Sequence, residues 1–65
     1  MNNKQLKKLA KQIADQENII ASSSDPQAIE AAKNKIIQLN DSADLTVDDM
    51  VKLDEMIQPL LFQNT

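Results

Sequence analysis

The 65-residue chain contains no His, Cys, Arg, Tyr, Trp or Gly, and Phe62 is its only aromatic residue. Each absence removes a class of function. Without Cys there is no disulfide framework and no thiolate metal site. Without His, acid–base chemistry near neutral pH would need a carboxylate or a lysine shifted by burial. Ser22, Ser23 and Ser24 have no imidazole to activate them as nucleophiles. Without Gly there is no phosphate-cradling loop of the familiar kinds. Without Arg, and with one aromatic, the usual side chains for base reading and base stacking are missing. The expectation is a non-catalytic chain with no cofactor and no metal.

Long apolar runs are also missing; the longest are as short as Leu60-Leu61-Phe62, so no segment is expected to span a bilayer. The N-terminal lysines are followed by no continuous apolar stretch, which argues against a signal peptide. Asn2-Asn3 stand where a myristoylation pattern requires Gly. These absences make a cytoplasmic location the expectation.

What is present is aliphatic residues at helical spacing, separated by polar linkers. The length predicts one small helical domain over residues 1–65, with loops at 22–25 and 40–45. A chain this short buries only about 60% of its unfolded surface, so its stability margin is small. A partner or self-association would widen that margin. The formal net charge is -3, unevenly spread: Lys4, Lys7, Lys8 and Lys11 precede the first acid, and the remaining chain holds all ten acids. A basic end on an acidic body can orient association, or simply keep a small protein soluble. Much Asn, Ile and Lys with no Arg fits an AT-rich bacterial or phage genome.

Three segments read as helices. The first spans about 3–21: Leu6, Leu9, Ile13 and Ile20 share one face, and Ala10 and Ala14 widen it. Asn3 is the expected cap, although lysines in the first turns oppose the macrodipole. The second spans about 26–39. Asp25-Pro26 marks its start, Ile29, Ala32, Ile36 and Leu39 form its stripe, and Asn40-Asp41-Ser42 is expected to end it. The third spans about 46–58. Thr46 and Asp49 make a capping box, with Leu45 and Met50 placed to close a hydrophobic staple around it. Met50, Leu53, Ile57 and Leu60 continue the third stripe, beside Val47, Met56 and Leu61, until Pro59 ends or kinks the helix.

This pattern predicts an all-α fold, a small antiparallel three-helix bundle. The alternative is a hairpin of the second and third helices, with the first helix extended into a dimer. Asp41, Asp44, Asp48 and Asp49 crowd one loop and helix start. They lack the calcium-loop spacing and its Gly, so they read as turn and cap residues. Both methionines after Met1 are expected in the core. The candidate protein-binding residues are Leu60, Leu61 and Phe62, beyond Pro59, together with Ile19, which lies off the first stripe. Lys4, Lys7, Lys8 and Lys11 form a basic face. The expected function is a protein-interaction module: an adaptor, inhibitor or assembly subunit. The alternatives are a homo-oligomer through the first helix and a weak nucleic-acid binder through the lysines. Nucleic acid is disfavoured by the acidic body, and a membrane by the absence of Trp or Phe opposite the lysines.

Overall fold

Each helix begins where a side chain satisfies amides that have no partner within the helix. A computed structural model describes residues 2–61. The chain forms α1 (Asn3–Ser22), α2 (Pro26–Ala43) and α3 (Val47–Ile57), then one 3-10 turn over Gln58–Leu60.

The cap of α1 is Asn2 rather than Asn3. Asn2 Oδ1 accepts from the Gln5 amide at 2.8 Å, and Gln5 Oε1 accepts from the Asn2 amide at 3.3 Å. The correction has a simple cause. A reciprocal box needs Gln or Glu three residues after the cap; Asn2 has Gln5 there, whereas Asn3 has Leu6. The box holds the first turn although no acidic residue stands in it to complement the macrodipole.

At the other end of α1 the Ser23 amide donates to the Ile19 carbonyl at 2.8 Å, and the Ser22 hydroxyl donates to the Asn18 carbonyl at 2.7 Å. The connection to α2 is short. Asp25 Oδ1 accepts from the Gln27 amide at 3.0 Å, and Pro26 follows at the first helical position.

α2 runs four residues past the expected end at Leu39. Asn40-Asp41-Ser42 lies inside it because Ala43 continues the apolar stripe and packs against the core with Ile36 and Leu39. Packing of the half-buried Ala43 offsets the weak helix preference of the exposed Asn40, Asp41 and Ser42. The helix stops at Asp44, whose φ of 50° and ψ of 56° are left-handed. Helices commonly end on Gly in this conformation. The chain has none, and the position falls to Asp, which tolerates it better than bulkier residues.

α3 starts on the expected box. Thr46 Oγ1 accepts from the Asp49 amide at 3.1 Å, and Asp49 Oδ2 accepts from the Thr46 amide at 3.3 Å. It ends at Ile57, and the turn containing Pro59 tightens to 3-10 form, as expected for a residue without an amide hydrogen.

Packing centres on α1. Its Leu6, Leu9, Ala10, Ile13 and Ala14 are all buried, and Leu6 is 0% exposed. Among the described residues the other helices add only Ala32 and Leu53 to the buried apolar set. Ile36, Leu39, Ala43, Leu45, Met56, Ile57 and Leu60 pack around that core while partly exposed. α2 and α3 each pack extensively on α1, and no comparable contact joins them to each other. The alternative hairpin with α1 projecting into a dimer is therefore not the arrangement. Leu6, Leu9 and Ile13 of the α1 stripe are covered within the chain, and Ile20 is half-buried.

The two methionines diverge. Met56 packs at the core edge, whereas Met50, expected inside, is 54% exposed. On an ideal helix Met50 lies about 60° away from Leu53 around the axis. That rotation carries it off the α1-facing side.

Leu6→Ala should cost about 2–5 kcal/mol, the range for emptying a buried leucine site. That is a large share of the total of about 3–10 kcal/mol expected for 65 residues. Val47→Ala, at an exposed position, should stay within about 0.5 kcal/mol. Urea denaturation of the two variants checks the contrast. By the same measurement Asp44→Val should cost about 1–2 kcal/mol, the penalty for a left-handed L-residue, while Asp44→Gly should be neutral or stabilising.

Candidate interaction surface

Because α2 and α3 lean on α1 more than on each other, a cleft of about 310 Å³ remains between them. Ile13 and Glu17 contribute from α1, Ile36 and Asn40 from α2, and Met50, Leu53, Asp54 and Ile57 from α3, with Leu45 among the lining residues. The lining is mostly aliphatic, and its charged members are both carboxylates, Glu17 and Asp54. Met50 is more than half exposed at one wall. Val47 and Val51, which share its side of α3, are 77% and 55% exposed. On α2, Ile37 is 58% exposed, next in sequence to the lining residue Ile36.

The start of α3 sets where Met50, Val47 and Val51 stand, and Asp49 is part of that start. Its carboxyl group is held below the ordinary carboxylate pKa. The chief cause is the hydrogen bond from the Thr46 amide; burial opposes it, and the Thr46 hydroxyl adds to the lowering. Asp49 is also the one buried charged side chain among the described residues.

A second groove, of about 450 Å³, brings together Lys4, Lys7, Lys8 and Lys11 with Ala14, Asp15, Asn18 and Leu60. A third, of about 360 Å³, shares Lys7 and Leu60 with it and adds Asn3, Ala10, Met56 and Pro59. The four expected lysines thus do share one side of α1, and they border the 3-10 turn rather than the α2–α3 cleft.

The expected C-terminal binding residues separate. Leu60 is half-buried against the core, and its carbonyl accepts from Asn18 Nδ2 at 3.4 Å. Leu61 is also half-buried. Phe62 lies outside the described residues. Ile19 is 40% exposed on α1 and lines none of the three grooves.

The α2–α3 cleft was not foreseen, although one signal points to it. Met56, Leu53, Ile57, Met50, Val47 and Val51 together cover roughly 220° of the α3 circumference at 100° per residue. A helix resting on one neighbour needs an apolar arc of little more than 100°. The surplus had to face either a second helix or solvent.

Among the described residues no group of three or more Asp or Glu stands close enough to hold a metal ion. No described helix is long and apolar enough to cross a membrane. Comparison with protein-family models, curated proteins and solved structures gives no match.

The Asp49 pKa is lowered in the folded chain, so its stabilising effect is complete above the unfolded value of about 3.9 and is lost as pH falls through the lower folded value. Wild type should therefore melt higher than Asp49→Asn at pH 5–7 (roughly the plateau region). The gap should close as the solution is acidified below about pH 4. Thermal melts of both proteins across that range check the sign.

Proposed function

We propose that this chain is a small non-catalytic protein-interaction module of the cytoplasm, acting as an adaptor, inhibitor or assembly subunit. The observation that carries the reading is the α2–α3 cleft, an aliphatic trough flanked by exposed Met50, Val47, Val51 and Ile37. Isolated exposed aliphatics are ordinary on a small protein. Here the exposed Met50 lines a concave, mostly aliphatic cleft, and exposed apolar surface in a groove marks interaction sites. Met is suited to such a surface because its unbranched thioether adapts to different partners. Composition supports the same reading, since the side chains that most often carry catalysis near neutral pH are missing.

The reading moves the site from the chain end to the cleft. Leu60 is occupied as part of the core edge, and Ile19 lines none of the three grooves described. The homo-oligomer reading is weakened by the same packing, because Ile13 is only 4% exposed within one chain. Weak nucleic-acid binding keeps the lysine groove as its basis, against an acidic body that repels phosphate.

The test is affinity capture from native host lysate with protein identification, using wild type, Met50→Asp and Leu61→Asp. One partner retained by wild type and Leu61→Asp but lost with Met50→Asp is the expected result. Loss with Leu61→Asp alone would return the site to the chain end. No partner with any form, under conditions where all three fold by circular dichroism, would remove the reading.

A further inference from the structure

The occupant of the cleft follows from its dimensions and its charge, given the reading of the chain as an interaction module. The α3 wall of the cleft extends from Met50 to Ile57, a separation of seven positions or about 10 Å at 1.5 Å per residue. That is the length covered by apolar anchors at i, i+3 or i+4, and i+7 of a docked helix. An extended strand would seek an unpaired sheet edge, and the described chain contains no strand.

The charges select the flanks of that helix. Glu17 on the α1 side and Asp54 on the α3 side are both lining residues, and no lysine lines the cleft. The four lysines of α1 border the other groove. Lys33 and Lys35 on α2 and Lys52 on α3 are close in sequence to lining residues but lie outside the lining themselves. A docked helix carrying lysines or arginines beside its apolar stripe would place them opposite Glu17 and Asp54. A helix with acidic flanks would bring like charges together while docking excludes water from them, which is unfavourable.

We infer that the α2–α3 cleft receives a basic amphipathic helix of a partner protein, with aliphatic anchors on the accessible Ile36, Met50 and Ile57, above the buried Ile13 and Leu53, and cationic flanks against Glu17 and Asp54. A second copy of this chain is a poorer occupant. The most basic helix available from it is α1, whose apolar stripe is already buried between its own α2 and α3.

The experiment is an NMR amide titration of the full 65-residue chain with two synthetic helical peptides of about 18 residues, five turns. Both carry Leu at the same heptad-like positions; one has Lys on its flanks and the other Glu. The Lys peptide should shift amides around Ile13, Ile36, Asn40, Met50 and Asp54. Its affinity should fall about tenfold or more in the Glu17→Lys/Asp54→Lys variant, which should in turn favour the Glu peptide. Met50→Ser should weaken both combinations without changing the charge preference. Thermal melts of each variant confirm folding.

Equal binding of the two peptides at the cleft would overturn the basic flanks while leaving the interaction module standing. Shifts confined to the lysine groove would overturn the choice of surface. If neither peptide binds, the inference fails even where lysate capture still depends on Met50, so the two failures are told apart. A mass that doubles with concentration and reverts in Met50→Asp would identify a second copy as the occupant and overturn the partner helix.

Discussion

The structure depends on the burial of one helical face: Leu6, Leu9, Ala10, Ile13 and Ala14 of α1, covered from two sides by the rest of the chain. Among the described residues the other helices bury only Ala32 on α2, and Leu53 and the capping Asp49 on α3. Small residues matter as much as large ones here. Ala10, Ala14 and Ala32 have no side chain beyond Cβ, so neighbouring backbones can approach closely without ordering further rotamers. A chain of this length has no second core to fall back on, and a cavity under Leu6 would be felt in both packing interfaces.

This economy shapes the surface. In a symmetric bundle every pair of helices shares an interface, and each helix buries one continuous stripe. Here α2 and α3 share α1 but little with each other. Each therefore has an apolar flank on the side where the third interface would be. Ile36 of α2 and Met50 and Ile57 of α3 line the resulting trough, and Val47 and Val51 extend the apolar surface beyond it. The cleft and the centrality of α1 are one geometric fact seen from two sides. The chain is also wide and thin, with extents of 34 × 26 × 16 Å, which leaves more surface per residue than a rounder bundle of the same length.

Local signals were legible and relational ones were not. The starts of α2 and α3 could be read because Asp25-Pro26 and Thr46-x-x-Asp49 act within four residues of chain. The stop at Pro59 was legible for the same reason. Asn2 was missed because two asparagines competed and only the Gln5 carboxamide decides between them. The end of α2 was missed because Asn40-Asp41-Ser42 resembles a turn when read alone. Ala43 carries the helix through it by packing on the core, and Asp44 then takes the backbone conformation that elsewhere would announce itself as Gly. The exposure of the candidate-site residues was less legible. Leu60 has the composition of a sticky tail, yet the 3-10 turn brings it back against the core and into contact with Asn18. Met50 has the spacing of a core residue, but a stripe read from sequence does not show which part of a wide apolar arc meets the neighbour.

The division of labour within α3 follows from its length. Eleven residues are too few to form a stable isolated helix in water, so this wall of the cleft exists only while its other side is docked. Leu53, Met56 and Ile57 dock it, the Thr46–Asp49 box fixes its first turn, and the proline-induced tightening fixes its last. None of these devices uses Val47, Met50 or Val51. The exposed side of α3 is therefore chemically independent of what holds the helix in place, and side chains there can answer to a partner without taxing the fold. The same separation holds across α1, where the buried stripe carries stability and the lysines on the far edge carry none of the packing. A small chain with a single core keeps its variable chemistry on edges that the core does not need, and in this protein those edges are the acidic apolar cleft on one side and the lysine groove on the other.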